Sequence, residues 1–203
     1  MPVAITVRPY RHADHNDTLA TAARAFTIDP LFSFFCRDTL HEHRLLPRMM
    51  AGYMRDLDRN GTGWIVEHDG KPRAFAGWLA PGALPRSTRR EVEGFVLSAP
   101  AILRSAHPLK AIRLFTEVER RHPREPHWYL SLLVTDPTLQ GRGLGSAVIA
   151  PGLAVADDAG MPCYLETQKE SNVGWYARQG FELQRTISLP GIPSVWCLWR
   201  EPR

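Results

Sequence analysis

The chain has 203 residues, 44% of them hydrophobic and 23% charged, with a formal charge of +4 and a pI of about 9.2. That balance fits one globular domain over residues 1–203 and excludes a disordered chain. No apolar run approaches the roughly 20 residues of a membrane span, and no dense basic tract with interleaved aromatics marks a nucleic-acid surface. The mild basicity suits a small anionic ligand. Cys36, Cys163 and Cys197 are scattered and odd in number, without metal-ligand spacing. They point to a reducing compartment and argue against a disulfide framework. The first residues lack the apolar core of a signal peptide, so a cytoplasmic location is expected.

Residues 3–8 alternate like a strand. Residues 14–26 predict a helix with Leu19, Ala22, Ala23 and Phe26 on one face. Ile28-Asp29-Pro30 ends it, because the residue before a proline avoids helical angles. A second helix is expected over 39–57, with Leu45, Leu46, Met49, Met50, Tyr53, Met54 and Leu57 at helical spacing and Asn60-Gly61 as its stop. Residues 64–67 and 73–79 read as a hairpin around Asp69-Gly70. A helical stretch over 87–122 follows, with breaks near Pro100 and Pro108. Residues 128–134 are nearly all apolar and predict a buried strand. A helix is expected over 146–159, closed by Gly160, with a kink or local break at Pro151. A further buried strand is expected at 162–167. The next helix, capped by Ser171 or Asn172, stops at Gly180. Strands near 181–188 and 194–199 close the chain. This order indicates an α/β or α+β fold with a mixed sheet.

Between the strand at 128–134 and the helix after it runs Gln140-Gly141-Arg142-Gly143-Leu144-Gly145-Ser146. The first N–H groups of a helix lack intrahelical partners, and the helix dipole adds partial positive charge there. Glycines let phosphate oxygens approach those groups, and Arg142 adds a forked cation. The dinucleotide fingerprint spaces its glycines differently, with the third one residue later. Glu166, however, stands where that fold would place its acidic partner, so the spacing leaves the point open. A triphosphate loop would need a lysine that is absent. A plain tight turn would use the same glycines.

The Gln140–Gly145 run resembles the Q/R-x-x-G-x-G/A motif of the GCN5-related N-acetyltransferases (GNAT). Glu170–Glu182, "ESNVGWYARQGFE", resembles that family's second signature: an asparagine, a tyrosine four residues on, then a glycine-aromatic step. One helix and one strand separate the two. With "REPHWYL", "AGMPCYLET" and "WCLWR", residues 122–200 are similar to the puromycin N-acetyltransferase branch of the family. In the first half the likeness is confined to Ala25, Phe26, Asp29, Pro30 and the tryptophan-bearing hairpin.

The resemblance implies a GNAT fold: a mixed, mostly antiparallel twisted sheet with splayed central strands, flanked by helices. It also implies acetyl-CoA as acetyl donor, with no metal. Residues 126–203 would bind the donor and residues 1–125 the acceptor. The backbone of Val134 and Thr135 would pair with the pantetheine arm, and Gln140, Gly141, Arg142, Gly143, Leu144, Gly145 and Ser146 would hold the pyrophosphate. Asn172 and Tyr176, one helical turn apart, would reach the arm and the sulfur, Tyr176 as general acid. Glu166 is a candidate base or a structural carboxylate bound to backbone N–H groups or Arg178; Glu125, His127 and Asp136 are weaker base candidates. Phe26, Asp29 and Trp64 are candidate acceptor contacts. His41-Glu42-His43 lacks the H-E-x-x-H zinc spacing. The expected activity is direct acetyl transfer to a small primary amine in a ternary complex, by a monomer or homodimer with no nucleic-acid or membrane partner. The competing readings are an acyl-CoA-binding regulatory domain without turnover and a transferase acting on a protein amine.

Overall fold

Alternation of branched and aromatic residues with small or polar ones builds strands that bury both faces under helices. The computed structural model describes residues 6–27, 29–84, 96 and 99–203, with the backbone alone at 39–43. In chain order the elements are β1 (Thr6–Pro9), α1 (His15–Phe26), α2 (Pro30–Phe35), α3 (Thr39–Asn60), β2 (Gly61–His68) and β3 (Lys71–Leu79). After them come α4 (Pro108–Arg121), β4 (Trp128–Thr135), α5 (Leu144–Asp158), β5 (Cys163–Thr167), α6 (Ser171–Arg178), β6 (Glu182–Ile187) and β7 (Val195–Arg200). The described residues form one seven-stranded sheet in the order β1-β2-β3-β4-β5-β7-β6. Only β4 and β5 run parallel; the other neighbours are antiparallel. The mixed, mostly antiparallel sheet flanked by helices is the architecture expected. No described helix is long and apolar enough to cross a membrane.

The two sheet faces bury different helices. Val66, Ala76, Trp78 and Leu165 pack against Val148, Ile149 and Leu153 of α5 and Tyr176 of α6. On the opposite face Ile65, Phe75, Leu132 and Val134 meet Ala22 of α1 and Met50 and Met54 of α3. Farther along that face, Tyr164, Ile187 and Cys197 meet Leu31 and Phe35 of α2 and Leu114 of α4. Leu130 and Leu132 are two residues apart yet belong to opposite faces. Ser131 explains this: the register passes from Gly77↔Leu132 to Trp78↔Leu130, so β4 bulges there and its alternation inverts.

The central opening follows from a short ladder. β4 and β5 pair only at Trp128↔Cys163 and Tyr129↔Tyr164. Beyond Tyr129 the strands part. β4 follows β3 to Thr135, while β5 follows β7 to Thr167. The facing backbone edges then lack a strand partner, which leaves N–H and C=O groups for a ligand or water.

Several expectations shift. Residues 3–5 of the predicted first strand, and residues 87–95, 97 and 98 of the predicted helical stretch, lie outside the described residues. Residues 99–104 are helical through Pro100, whereas the break before Pro108 is found. Pro108 opens α4 at a position where a missing N–H costs nothing. Asp29-Pro30 does end α1, but it also starts α2. The Asp29 side chain accepts from the N–H groups of Leu31 and Phe32, and Pro30 takes the first turn. The hairpin strands are longer than predicted, since β2 begins at Gly61 as soon as α3 ends. Pro151 neither breaks nor interrupts α5, which is continuous over Leu144–Asp158. Val148, Ile149, Leu153 and Ala156 are buried around it, and that packing outweighs one lost backbone bond. Neither Ser171 nor Asn172 caps α6: the capping position is Glu170, with no side-chain bond.

α5 approaches β3 so closely that a Cβ on Gly152 would overlap the indole of Trp78 at Nε1. Gly152→Ala is therefore expected to destabilise the fold by about 1–3 kcal/mol. A lower urea midpoint at unchanged slope would show it; an unchanged midpoint would mean that this contact is not close.

Candidate functional site

The loop between β4 and α5 is anchored before its glycines begin. Asp136, buried at the end of β4, accepts from the N–H and hydroxyl of Thr138 at 3.1 and 2.7 Å. Arg24 of α1 and Arg73 of β3 donate to its other oxygen at 3.0 and 3.1 Å. Burial alone would raise the Asp136 pKa, but the Thr138 and arginine hydrogen bonds outweigh it and hold it at about 2. Asp136 is thus a fixed anion that ties the loop to α1 and β3, which removes it from the base candidates.

Gly141 and Gly143 take left-handed φ values of 75° and 83°. A Cβ on either would meet nothing within 4 Å, so the backbone conformation, and not crowding, calls for glycine. α5 starts at Leu144, two residues earlier than predicted, and Gly143 provides no side-chain cap. The first N–H groups of α5 are therefore open to an anion.

This loop forms one rim of a cleft of about 460 Å³ at the β4–β5 opening. Val134, Thr135, Gln140, Gly141, Gly143, Leu144, Gly145, Ser146, Asn172 and Tyr176 all line it, as do Phe26 and Asp29 from the opposite face of the sheet. The cleft thus passes through the sheet. Lys169 and Trp175 also line it and were not singled out in the sequence. Trp175 stands beside Tyr176 in the second motif, ring centroids 4.9 Å apart, and its adjacency was the available signal. Lys169 had no such marker.

Three predicted site residues lie elsewhere. Arg142 is exposed and is not a wall of the cleft. Trp64 sits on β2 and packs toward the α5 core, with β3 between it and β4. Glu166 faces the other way from Leu165, toward the end of α4. Its oxygens engage the Tyr129 hydroxyl at 2.7 Å and His122 Nδ1 at 3.3 Å. Arg178, the partner considered for it, instead donates to the Gly174 carbonyl.

Within the cleft Tyr176 is 6% exposed. Its ring packs edge-on against Trp175 and Phe181, and burial pushes its pKa up. At neutral pH it is a phenol able to donate. No hydrogen-bond partner for its hydroxyl occurs among the described residues. Asn172 Nδ2 donates to Thr167 Oγ1 at 3.1 Å, linking α6 to the end of β5. Burial raises the Asp29 pKa against the backbone bonds it accepts and the charge of Lys169. A larger cavity, about 800 Å³, lies by His12 in the turn before α1, His15 of α1, and Arg48 and Asp58 of α3. It shares no residue with the cleft and has neither a glycine loop nor an open strand edge. Among the described residues no cluster of three His, Cys, Asp or Glu is arranged for a metal; the side chains of His41-Glu42-His43 lie outside them.

The model of the acetyltransferase (GNAT) family matches residues 28–181. An uncharacterised N-acetyltransferase of Schizosaccharomyces pombe is 24% identical over 184 residues, 87% of this chain and 74% of its own. A Corynebacterium glutamicum structure described as histone acetyltransferase HPA2 and related acetyltransferase aligns with a TM-score of 0.71 at 23% identity, over 98% of this chain and 97% of its own. The Drosophila melanogaster polyamine N-acetyltransferase, which catalyses formation of N-acetylagmatine, aligns with a TM-score of 0.56 at 18% identity, over 97% and 99%.

The Asp136 anchor has a defined pH signature. Its folded pKa is depressed, so its contribution is present above the unfolded value near 4 and is lost as pH falls toward about 2. Asp136→Asn is expected to cost about 1–3 kcal/mol at pH 7. In denaturant titrations the gap between the two proteins should narrow below about pH 4; a gap independent of pH would contradict the ionised anchor.

Proposed function

The chain belongs to the GNAT acetyltransferase family, and from that premise we propose that it is an acetyl-CoA-dependent N-acetyltransferase acting on the primary amine of a small molecule. The observation that carries this reading is the coincidence of a neutral Tyr176 hydroxyl, without a partner among the described residues, with the cleft whose rim is the uncapped start of α5.

Each wall of the cleft has a task that its chemistry suits. The N–H groups from Gly141 to Ser146 hold the pyrophosphate, with Arg142 adding charge from outside the rim. The free edge of β4 at Val134 and Thr135 takes the pantetheine arm as an added strand, so that backbone N–H groups can face the thioester oxygen. Asn172, held by Thr167, borders the arm. The amine approaches from the face carrying Phe26 and Asp29 and attacks the acetyl carbon directly. As the C–S bond breaks, Tyr176 donates to the departing sulfur. A neutral phenol can do this by hydrogen bonding even without complete proton transfer.

The same geometry supports a small acceptor. Phe26 offers an apolar wall and Asp29 a carboxyl at the acceptor end, which suits an amine. The fold shared with the N-acetylagmatine-forming enzyme supports the same class, and an aminonucleoside or similar antibiotic is the acceptor suggested by the puromycin-branch motifs. All named walls come from one chain, an arrangement open to a monomer and to a homodimer. The three cysteines, scattered along the chain and odd in number, fit a cytoplasmic setting.

Incubation of the protein with acetyl-CoA and a panel of amines, followed by free-thiol release and product mass, tests this directly. Thiol release that requires the amine, with an acetylated product, is the expected result. Tight acetyl-CoA binding with no turnover on any amine would make the domain an acyl-CoA binder. In the same assay Tyr176→Phe should lower kcat about 10²-fold while leaving acetyl-CoA affinity unchanged. An unaltered rate would remove Tyr176 as the acid.

A further inference from the structure

On the sheet face opposite α5 lies a buried polar chain that the steps above leave unused. It starts at the Glu125 carbonyl, which His127 Nδ1 meets at 2.6 Å. The Nε2 atoms of His127 and His122 are 3.1 Å apart. His122 Nδ1 lies 3.3 Å from Glu166 Oε1, and the Tyr129 hydroxyl donates to Glu166 Oε2 at 2.7 Å. The side chains of His122 and Glu166 are 11% and 5% exposed. The His122 ring is held edge-on by Tyr129 and Tyr164, and Trp199 packs on His127.

Counting donors and acceptors locates the protons. A carbonyl only accepts, so His127 Nδ1 carries hydrogen. Burial lowers the His127 pKa despite its bond to the Glu125 carbonyl, which leaves Nε2 bare in the neutral ring. His122 Nε2 must then donate to it. That leaves His122 Nδ1 facing Glu166 Oε1, and a hydrogen bond there requires one proton, on either atom. Shifting the tautomers places the same proton on His127 instead. In every satisfied arrangement the three groups share one proton beyond an ionised glutamate and two neutral imidazoles. Without it, two lone pairs must meet at one of the three contacts.

The position of this chain matters as much as its chemistry. Tyr129 and Tyr164 form the last pair between β4 and β5, so the Tyr129–Glu166 bond spans the two strands where they part. Tyr129 is half-buried at that apex. The other ionisable groups around the chain are Glu125 in the loop after α4, Arg121 at the end of α4, Tyr164 on β5, Arg185 on β6 and Cys197 on β7. Burial, then the charge of Glu166, pushes the Tyr164 pKa up, and burial does the same for Cys197. Both stay neutral, and Arg121 is paired with Glu117.

We propose that Tyr129, Glu166, His122 and His127 form the proton acceptor for acetyl transfer, leading the proton of the attacking amine from the apex of the splay into the α4 side of the molecule. This rests on the transferase reading given above. As the nitrogen bonds to the acetyl carbon it loses one proton to the Tyr129 oxygen, while the Tyr129 hydroxyl passes its own to Glu166. The C–S electron pair leaves with sulfur, which takes a proton from Tyr176. The chain thereby goes from empty to filled; between turnovers water removes that proton and returns one to the Tyr176 oxygen. His122 and His127 touch no substrate; they act through Glu166 as positioning residues. The active form is the empty one, so the rate rises with pH as the chain gives up its shared proton.

Two measurements on the full chain test this. The first follows the imidazole nitrogens of His122 and His127 by NMR across pH. The expected pattern is a protonated Nδ1 on His127, with His122 nitrogen resonances that move when Glu166→Gln is introduced. Imidazole resonances identical with and without Glu166 would overturn the shared proton. The second records kcat against pH at saturating acetyl-CoA and amine. His122→Asn should lower kcat about 10²-fold and displace the rising limb, with KM for acetyl-CoA unchanged. If that variant fails to fold, Tyr129→Phe keeps the ring packing and should show the same loss. A wild-type limb and kcat in a folded variant would overturn the relay alone. Absence of turnover in the wild type would overturn it together with the transferase reading, leaving the NMR pattern intact.

Discussion

The organisation of this molecule depends on how briefly β4 and β5 stay together. Two residue pairs hold them, and then each strand follows its other neighbour. A parallel pair normally continues until one strand ends, because unpaired backbone inside a protein is costly. Here the divergence leaves an opening through the sheet. The helices on its two faces then supply different chemistry to one cleft. α5 and α6 bring a helix start, Asn172 and Tyr176; α1 and the start of α2 bring Phe26 and Asp29. The bulge at Ser131 belongs to the same arrangement, since it turns Leu132 and Val134 toward α1 and α3 while Leu130 stays with α5.

An opening of this kind needs rigid edges. On the β4 side Asp136 meets Arg24, Arg73 and Thr138, so one buried carboxylate joins α1, β3 and the glycine loop. On the β5 side Asn172 is bonded to Thr167, and the Tyr129–Glu166 bond closes the apex. At the far end of β7, Arg200 forks onto Asp157 of α5. These contacts hold the cleft open with most of its polar groups already satisfied. The Tyr176 hydroxyl and the first N–H groups of α5 differ, and those are the groups that the proposed chemistry uses.

What could be read from the sequence was local. The glycines of 141–145 imply a turn and a helix start by their own conformational needs. Asn172 and Tyr176 share a face because four residues make about one helical turn. Trp64 was misplaced because sheet order is not written in any one strand: β3 stands between Trp64 and the cleft. Pro151 misled because the propensity of one residue was weighed without the burial around it. Asp29-Pro30 was read as a stop, although the same dipeptide is a helix start. The chain from His127 through His122 to Glu166 joins residues far apart in sequence, and neither histidine carries a spacing that announces the contact.

The central claim is that the β4–β5 opening and the start of α5 together hold acetyl-CoA. Hydrogen–deuterium exchange with and without acetyl-CoA addresses this most directly. The expected result is protection confined to residues 133–135, 141–146 and 171–176, the strand edge, loop and helix face that meet at the cleft. Unchanged exchange in those segments, or protection centred instead on the His12, Arg48 and Asp58 cavity, would contradict it.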